Sequence, residues 1–150
     1  MPYRLEIALK PNLFDAEGHG IRQKAKNYFG IELAHVRSIY VITIDADLSA
    51  EQLKTVQREI FTNPVTQISA FDPLQIDFDW TIWVGFRPGV RDNPGSTAVE
   101  AVEDTLGIKF GPDQAVYTSK RYCLKGSGLT LEAANMVAGE ILANDIIQQW

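Results

Sequence analysis

Lys10-Pro11-Asn12-Leu13-Phe14-Asp15-Ala16-Glu17-Gly18 returns 77 positions later as Arg87-Pro88-Gly89-Val90-Arg91-Asp92-Asn93-Pro94-Gly95. In each stretch a basic residue and a proline set up a turn, an aspartate stands at the N-cap of a helix, and a glycine follows three residues on. The same spacing carries Leu5, Ile7 and Leu9 onto Ile82, Val84 and Phe86, and Phe29-Gly30-Ile31 onto Leu106-Gly107-Ile108. Further along, Leu48, Glu51, Val56, Glu59, Ile60 and Asn63 fall on Leu129, Glu132, Val137, Glu140, Ile141 and Asn144 at a spacing of 81, so about four residues enter between, placed most naturally near Gly126-Ser127-Gly128. The chain is a tandem duplication.

Within a copy the residue pattern predicts β-α-β-α-β. Leu5, Ile7 and Leu9 alternate with Arg4, Glu6 and Lys10, which predicts a strand with one buried face, and Ile82, Val84 and Phe86 repeat the apolar positions. Helices are expected over about 17–29, with Ile21, Ala25, Tyr28 and Phe29 inward, and over about 94–106, with Ala98, Val102, Glu103 and Leu106. Asp15 and Asp92 cap them, Pro94 suits a first turn, and Gly30 and Gly107 suit left-handed closing residues. Second strands are expected over 36–44 and 115–124. Second helices follow over about 49–61 and 130–142, and a third strand over 65–71. The expected architecture is α+β: tandem β-α-β-α-β units forming two small antiparallel sheets with two helices each, related by a pseudo-two-fold axis. The expected boundaries are 1–71 for the first repeat, 72–79 for a linker and 80–150 for the second. The last strand of the second repeat would be cut short, since Ile146-Ile147-Gln148-Gln149-Trp150 ends before it is complete, as though a longer polypeptide once continued.

The 150 residues, 45% of them apolar and 22% charged, suit one folded globular domain and exclude a disordered or fibrous chain. Cys123 is the one cysteine, so no internal disulfide forms, and a reducing cytoplasm is the expected compartment. A net charge of −5 is the wrong sign for gripping nucleic acid. No apolar run reaches the ~20 residues of a membrane span, and the first ten residues follow a strand pattern rather than that of a signal peptide.

No catalytic constellation stands out. His19 and His35 lack the spacing of metal ligands, and Cys123 in a strand pattern reads as a small buried hydrophobe. Gly18-His19-Gly20 and Gly126-Ser127-Gly128 complete neither dinucleotide nor P-loop motifs and are read as turns. Asp45/Asp47 and Glu100/Glu103/Asp104 fit solvated strand ends and helix surfaces. A helix N-terminus can receive an anion, but two aspartates at these ones repel phosphate, and capping accounts for them. The copies differ most where Tyr40, Ile42 and Ile44, carried forward by 77, meet Tyr117, Ser119 and Arg121. An apolar strand face thus gives way to the polar, basic and aromatic Tyr117-Thr118-Ser119-Lys120-Arg121-Tyr122, either a wetter strand or a strip that faces a partner or an anionic ligand.

The two corner stretches also carry a resemblance. Lys10 to Gly18 is similar to the KPGVLDPQG signature of PurS, the small subunit of phosphoribosylformylglycinamidine synthase, and Asn63-Pro64-Val65 resembles the NPV that opens its last strand. Arg87 to Gly95, continued by Ser96-Thr97-Ala98, resembles the RPGVTDNxGxTA stretch in the N-terminal domain of the large PurL form, with Arg91 in place of a common threonine. Tyr117-Thr118-Ser119 resembles the YTS of the same domain. The resemblance spans essentially the whole chain and implies a PurS-dimer-like scaffold, non-catalytic alone, that bridges synthetase and glutaminase parts of a purine-biosynthetic amidoligase. It implies ATP and magnesium used by the whole enzyme but no cofactor bound by this chain. Asp92, Asn93, Gly95, Tyr117, Ser119, Lys120 and Arg121 are the expected strip facing the synthetase or its substrate. The alternative is an ACT-like regulatory module, also built from small side-by-side α/β units, with a small molecule bound between them.

Overall fold

The computed structural model describes residues 2–143 and 148–150. The chain runs β1 (Tyr3–Leu9), α1 (Ala16–Phe29), β2 (His35–Asp45), α2 (Ala50–Val56), β3 (Gln67–Ala70), β4 (Trp80–Phe86), α3 (Asn93–Leu106), β5 (Ala115–Lys125), α4 (Leu131–Val137) and β6 (Gln148–Gln149). Both short helices continue into one wide π turn, Gln57–Phe61 after α2 and Ala138–Leu142 after α4. The duplicated element order follows the periodicity of the sequence, and the local stops are those expected: Asp15 and Asp92 cap α1 and α3, while Gly30 and Gly107 close them at φ 65° and 66°. Ser49 and Gln52 form a capping box on α2. The expected repeat partner Asn144, and Ile146 and Ile147 of the terminal apolar segment, lie outside the described residues.

The strands form one six-stranded sheet in the order β3-β1-β2-β5-β4-β6, and the described ladders are antiparallel; the two separate small sheets expected from the sequence are therefore corrected to one. Its central members are the two eleven-residue strands β2 and β5, and their adjacency leaves neither with an unpaired edge. Burial patterning also departs from expectation in β1, where Leu5, Glu6, Ile7 and Ala8 are all buried rather than alternate positions. Its second face is covered, and the Glu6 carboxylate, only 5% exposed, accepts the Leu74 N–H of the inter-repeat segment at 2.9 Å. In β4 the expected alternation holds for Ile82 and Val84. On α1, Ile21 and Ala25 face inward while Tyr28 is exposed, and Gly18-His19-Gly20 lies within the helix rather than in a turn.

The register corrects the comparison of the two copies. Leu5 pairs with Ile42 and Ile7 with Tyr40; their counterparts Ile82 and Val84 pair with Tyr122 and Lys120. Strand β5 therefore follows β2 at a spacing of 80, not 77, and Tyr40, Ile42 and Ile44 correspond to Lys120, Tyr122 and Leu124. The extra residues fall mainly in the loop between Gly107 and Ala115, longer than that between Gly30 and His35, and only in small part near Gly126. Tyr117, Ser119 and Arg121 correspond instead to Arg37, Ile39 and Val41.

The chain folds into two compact units, each drawn from both repeats. The first takes the chain up to Leu13, Tyr40–Leu74 and Arg91–Thr118; the second takes Phe14–Ile39, Gln75–Val90 and the chain from Ser119. In the first, α3 of the second repeat sets Ala98 and Val102 against Leu5, Ile7, Ile42, Ile44 and Val56. In the second, α1 of the first repeat sets Ile21 and Ala25 against Ile82, Val84, Tyr122, Leu124 and Val137. Each repeat lends its leading helix to the core built on the other repeat's strands. Among the described residues no helix is long and apolar enough to cross a membrane.

Candidate functional site

The corner motif makes a strand-to-helix joint twice. Asp15 accepts the Gly18 N–H at 2.9 Å and the Ser38 N–H at 2.8 Å. Asp92 accepts the Gly95 N–H at 2.8 Å, the Thr118 N–H at 2.5 Å and the Thr118 hydroxyl at 2.7 Å. Capping alone would satisfy one helix donor; here the second carboxylate oxygen also fixes a neighbouring strand. The glycine lets helix and strand close up, because a Cβ at Gly18 or Gly95 would collide with the carbonyl oxygen of Val36 or Val116. Of the expected site residues, Asp92 and Gly95 thus shape the joint, and Asn93 is exposed at the first helical position beside it.

The remaining candidates separate by strand geometry. Tyr117, Ser119 and Arg121 point to one face of β5, while Lys120 points to the other with Thr118 and Tyr122. They also divide between units: Asp92, Asn93, Gly95 and Tyr117 belong to the first, Ser119, Lys120 and Arg121 to the second. Tyr117 is exposed. The Ser119 hydroxyl accepts from Trp83 Nε1 at 2.7 Å. Arg121 is 6% exposed; its Nη1 donates to Thr81 Oγ1 at 3.3 Å and Cys123 Sγ at 3.6 Å, and its guanidinium lies 5.9 Å from the centre of the Phe78 ring. Cys123 is fully buried.

Lys120 has a different neighbourhood. Its Nζ meets Glu17 Oε1 at 2.9 Å, and the Tyr122 hydroxyl donates to the same oxygen at 3.0 Å. Burial, and then the Glu17 charge, push the Tyr122 phenol well above its usual range, so it stays a donor. These groups border a cleft of about 440 Å³ within the second unit. Glu17 is not among the residues expected from the sequence, and Tyr122 enters there only as the end of the stretch from Tyr117; the contact between them is made by tertiary packing. A second cleft in this unit, of about 590 Å³, is bordered by Asp79, Trp80, Lys125 and Gly126. Asp79 accepts the Gly126 N–H at 2.9 Å and Lys125 Nζ at 3.3 Å, which hold its carboxyl below the usual aspartate value. Its Trp80 Nε1 bond to the Leu129 carbonyl, 3.1 Å, repeats that of the Tyr3 hydroxyl to the Leu48 carbonyl, 3.4 Å, in the first unit. Among the described residues no group of three or more His, Cys, Asp or Glu side chains is placed to hold a metal ion. Set against known proteins, the chain matches no family model and no curated protein.

Proposed function

We propose that this chain is the N-terminal PurS-like scaffold domain of an ATP- and glutamine-dependent phosphoribosylformylglycinamidine synthase, bridging its synthetase and glutaminase parts and catalysing nothing alone. The observation that carries this is the corner: the two stretches in which the resemblance is strongest fold into the same joint, each aspartate fastening its helix to a strand. Helix exchange between the repeats adds support, since each core needs residues from both copies and the duplicated chain has to fold as a pair of copies. ATP, magnesium and glutamine-derived ammonia belong to the other parts of the enzyme. Asn93 and Tyr117, both exposed on the first unit, face the synthetase, with Asp92 and Gly95 holding the joint behind Asn93. Adding the purified chain to the synthetase and glutaminase parts of such an enzyme and assaying glutamine-dependent turnover tests it. Restored turnover with a stable complex is expected; neither turnover nor complex would refute the assignment.

A further inference from the structure

The cleft beside Glu17 is where the two units differ in charge. At the spacings established by the strand pairing and the helix repeat, Glu17, Lys24, Lys120 and Tyr122 of the second unit answer to Pro94, Ala101, Tyr40 and Ile42 of the first. Four uncharged positions have become two ammonium groups, one carboxylate and a phenol, all bordering one cavity of about 440 Å³. Such a change is costly if it serves packing alone, because polar groups at a core's edge need partners and leave less apolar contact. The partnering is incomplete in one sense. Glu17 Oε1 takes both Lys120 and Tyr122, so one carboxylate is set against one of the two ammonium groups, while the exposed Lys24 forms no ion pair among the described residues. Among the described lining residues the charged groups are Lys24, Lys120 and Glu17, two positive against one negative, with apolar wall supplied by Ile21 and Ile141.

We propose that this cleft binds a small organic oxyanion, a carboxylate or a phosphate monoester. Lys24 and Lys120 take the anionic oxygens, Glu17 positions Lys120 and the Tyr122 hydroxyl, and Ile21 and Ile141 cover the carbon end. The site does not depend on the scaffold role, since it rests on the groups that border the cleft and not on the resemblance carried by the corner motifs.

The test is a titration of the 150-residue chain with butyrate and, separately, inorganic phosphate, followed by amide and side-chain NMR shifts, with sodium chloride at matched ionic strength as control. Saturable shifts centred on Lys24, Lys120 and Tyr122 are expected for at least one probe; saturation by butyrate alone identifies a carboxylate site and by phosphate alone a phosphate site. Lys24→Ala replaces an exposed side chain by the residue found at the equivalent helix position, Ala101, and keeps helix propensity, so the fold is retained. It is expected to weaken binding about tenfold, one charge-assisted hydrogen bond. Absence of saturation with both probes, equal shifts with chloride, or undiminished affinity in Lys24→Ala would each overturn the site.

Discussion

Asp92 and Thr118 are joined twice: one carboxylate accepts both the backbone N–H of Thr118, at 2.5 Å, and its hydroxyl, at 2.7 Å. A helix start is thereby locked to a strand that follows it by 26 residues, and Asp15 repeats the arrangement with Ser38. The pairs are the same device in two copies, and Ser38 and Thr118 stand 80 positions apart, the spacing that the strand register requires.

Removing the device should cost more than a cap. Asp15→Ala leaves the N–H groups of Gly18 and Ser38 without their acceptor and is expected to lower stability by about 2–4 kcal/mol in denaturant unfolding. Asp92→Ala should behave alike, and Ser38→Ala should lose about 1 kcal/mol. A loss of under ~1 kcal/mol for both aspartates would mean that they merely cap.

The glycines of α1 separate close approach from flexibility. Gly18→Ala places a methyl on the Val36 carbonyl oxygen and should destabilise by about 2–4 kcal/mol, whereas Gly20→Ala meets open space and should stabilise by about 0.5–1 kcal/mol. Thermal melts of the two variants check the contrast directly.

The exchanged helices forbid a folded monomer of one repeat. A polypeptide of residues 1–71 keeps α1 but lacks Ile82, Val84 and Tyr122, on which Ile21 and Ala25 pack. It should be unfolded, or fold only as a homodimer that trades helices, as judged by circular dichroism with sedimentation. A cooperatively folded monomer would contradict the exchange.

Acid should weaken the second unit partly through Asp79. Its carboxyl is held below the usual 3.8, first by the Gly126 N–H and then by Lys125. The folded value is the lower one, so the contribution is complete above about pH 3.8 and is lost as pH falls through the folded value. Melting temperatures followed from about pH 5 downward should fall less steeply for Asp79→Asn than for wild type; equal slopes would exclude Asp79 as a source.

Alkali acts through Tyr122 with the opposite sign. The phenol is raised above its usual 10.0 by burial and by Glu17, so its stabilisation is complete below pH 10.0 and declines above it, where the unfolded chain ionises first. Ultraviolet titration should show one phenol that ionises only with unfolding, and Tyr122→Phe should remove it. A full complement of phenolates in the still-folded protein would contradict the assignment.

Helix starts and stops were readable from residues alone because their causes are local: Asp15, Asp92, Gly30 and Gly107 act within a turn of where they stand. The duplication was readable for the same reason, as was the buried side of α3 at Ala98 and Val102. The candidate strip was legible only as a stretch of β5, since similarity of residue type laid Tyr117 on Tyr40 and hid the longer loop after Gly107.

Pairing across strands depends on loop length and on which partner's apolar face is met, and neither leaves a mark at the position concerned. That is why register put Lys120 beside Glu17, why Arg121 replaces an apolar Val41 as a buried side chain, and why two expected sheets became one. The same holds for the exchanged helices: α1 and α3 present apolar stripes that fit either copy's strands, and long-range packing chose the other repeat for each. Amino-acid order settled what each segment would be, through short-range hydrogen bonding and periodicity; three-dimensional packing settled which segments would meet.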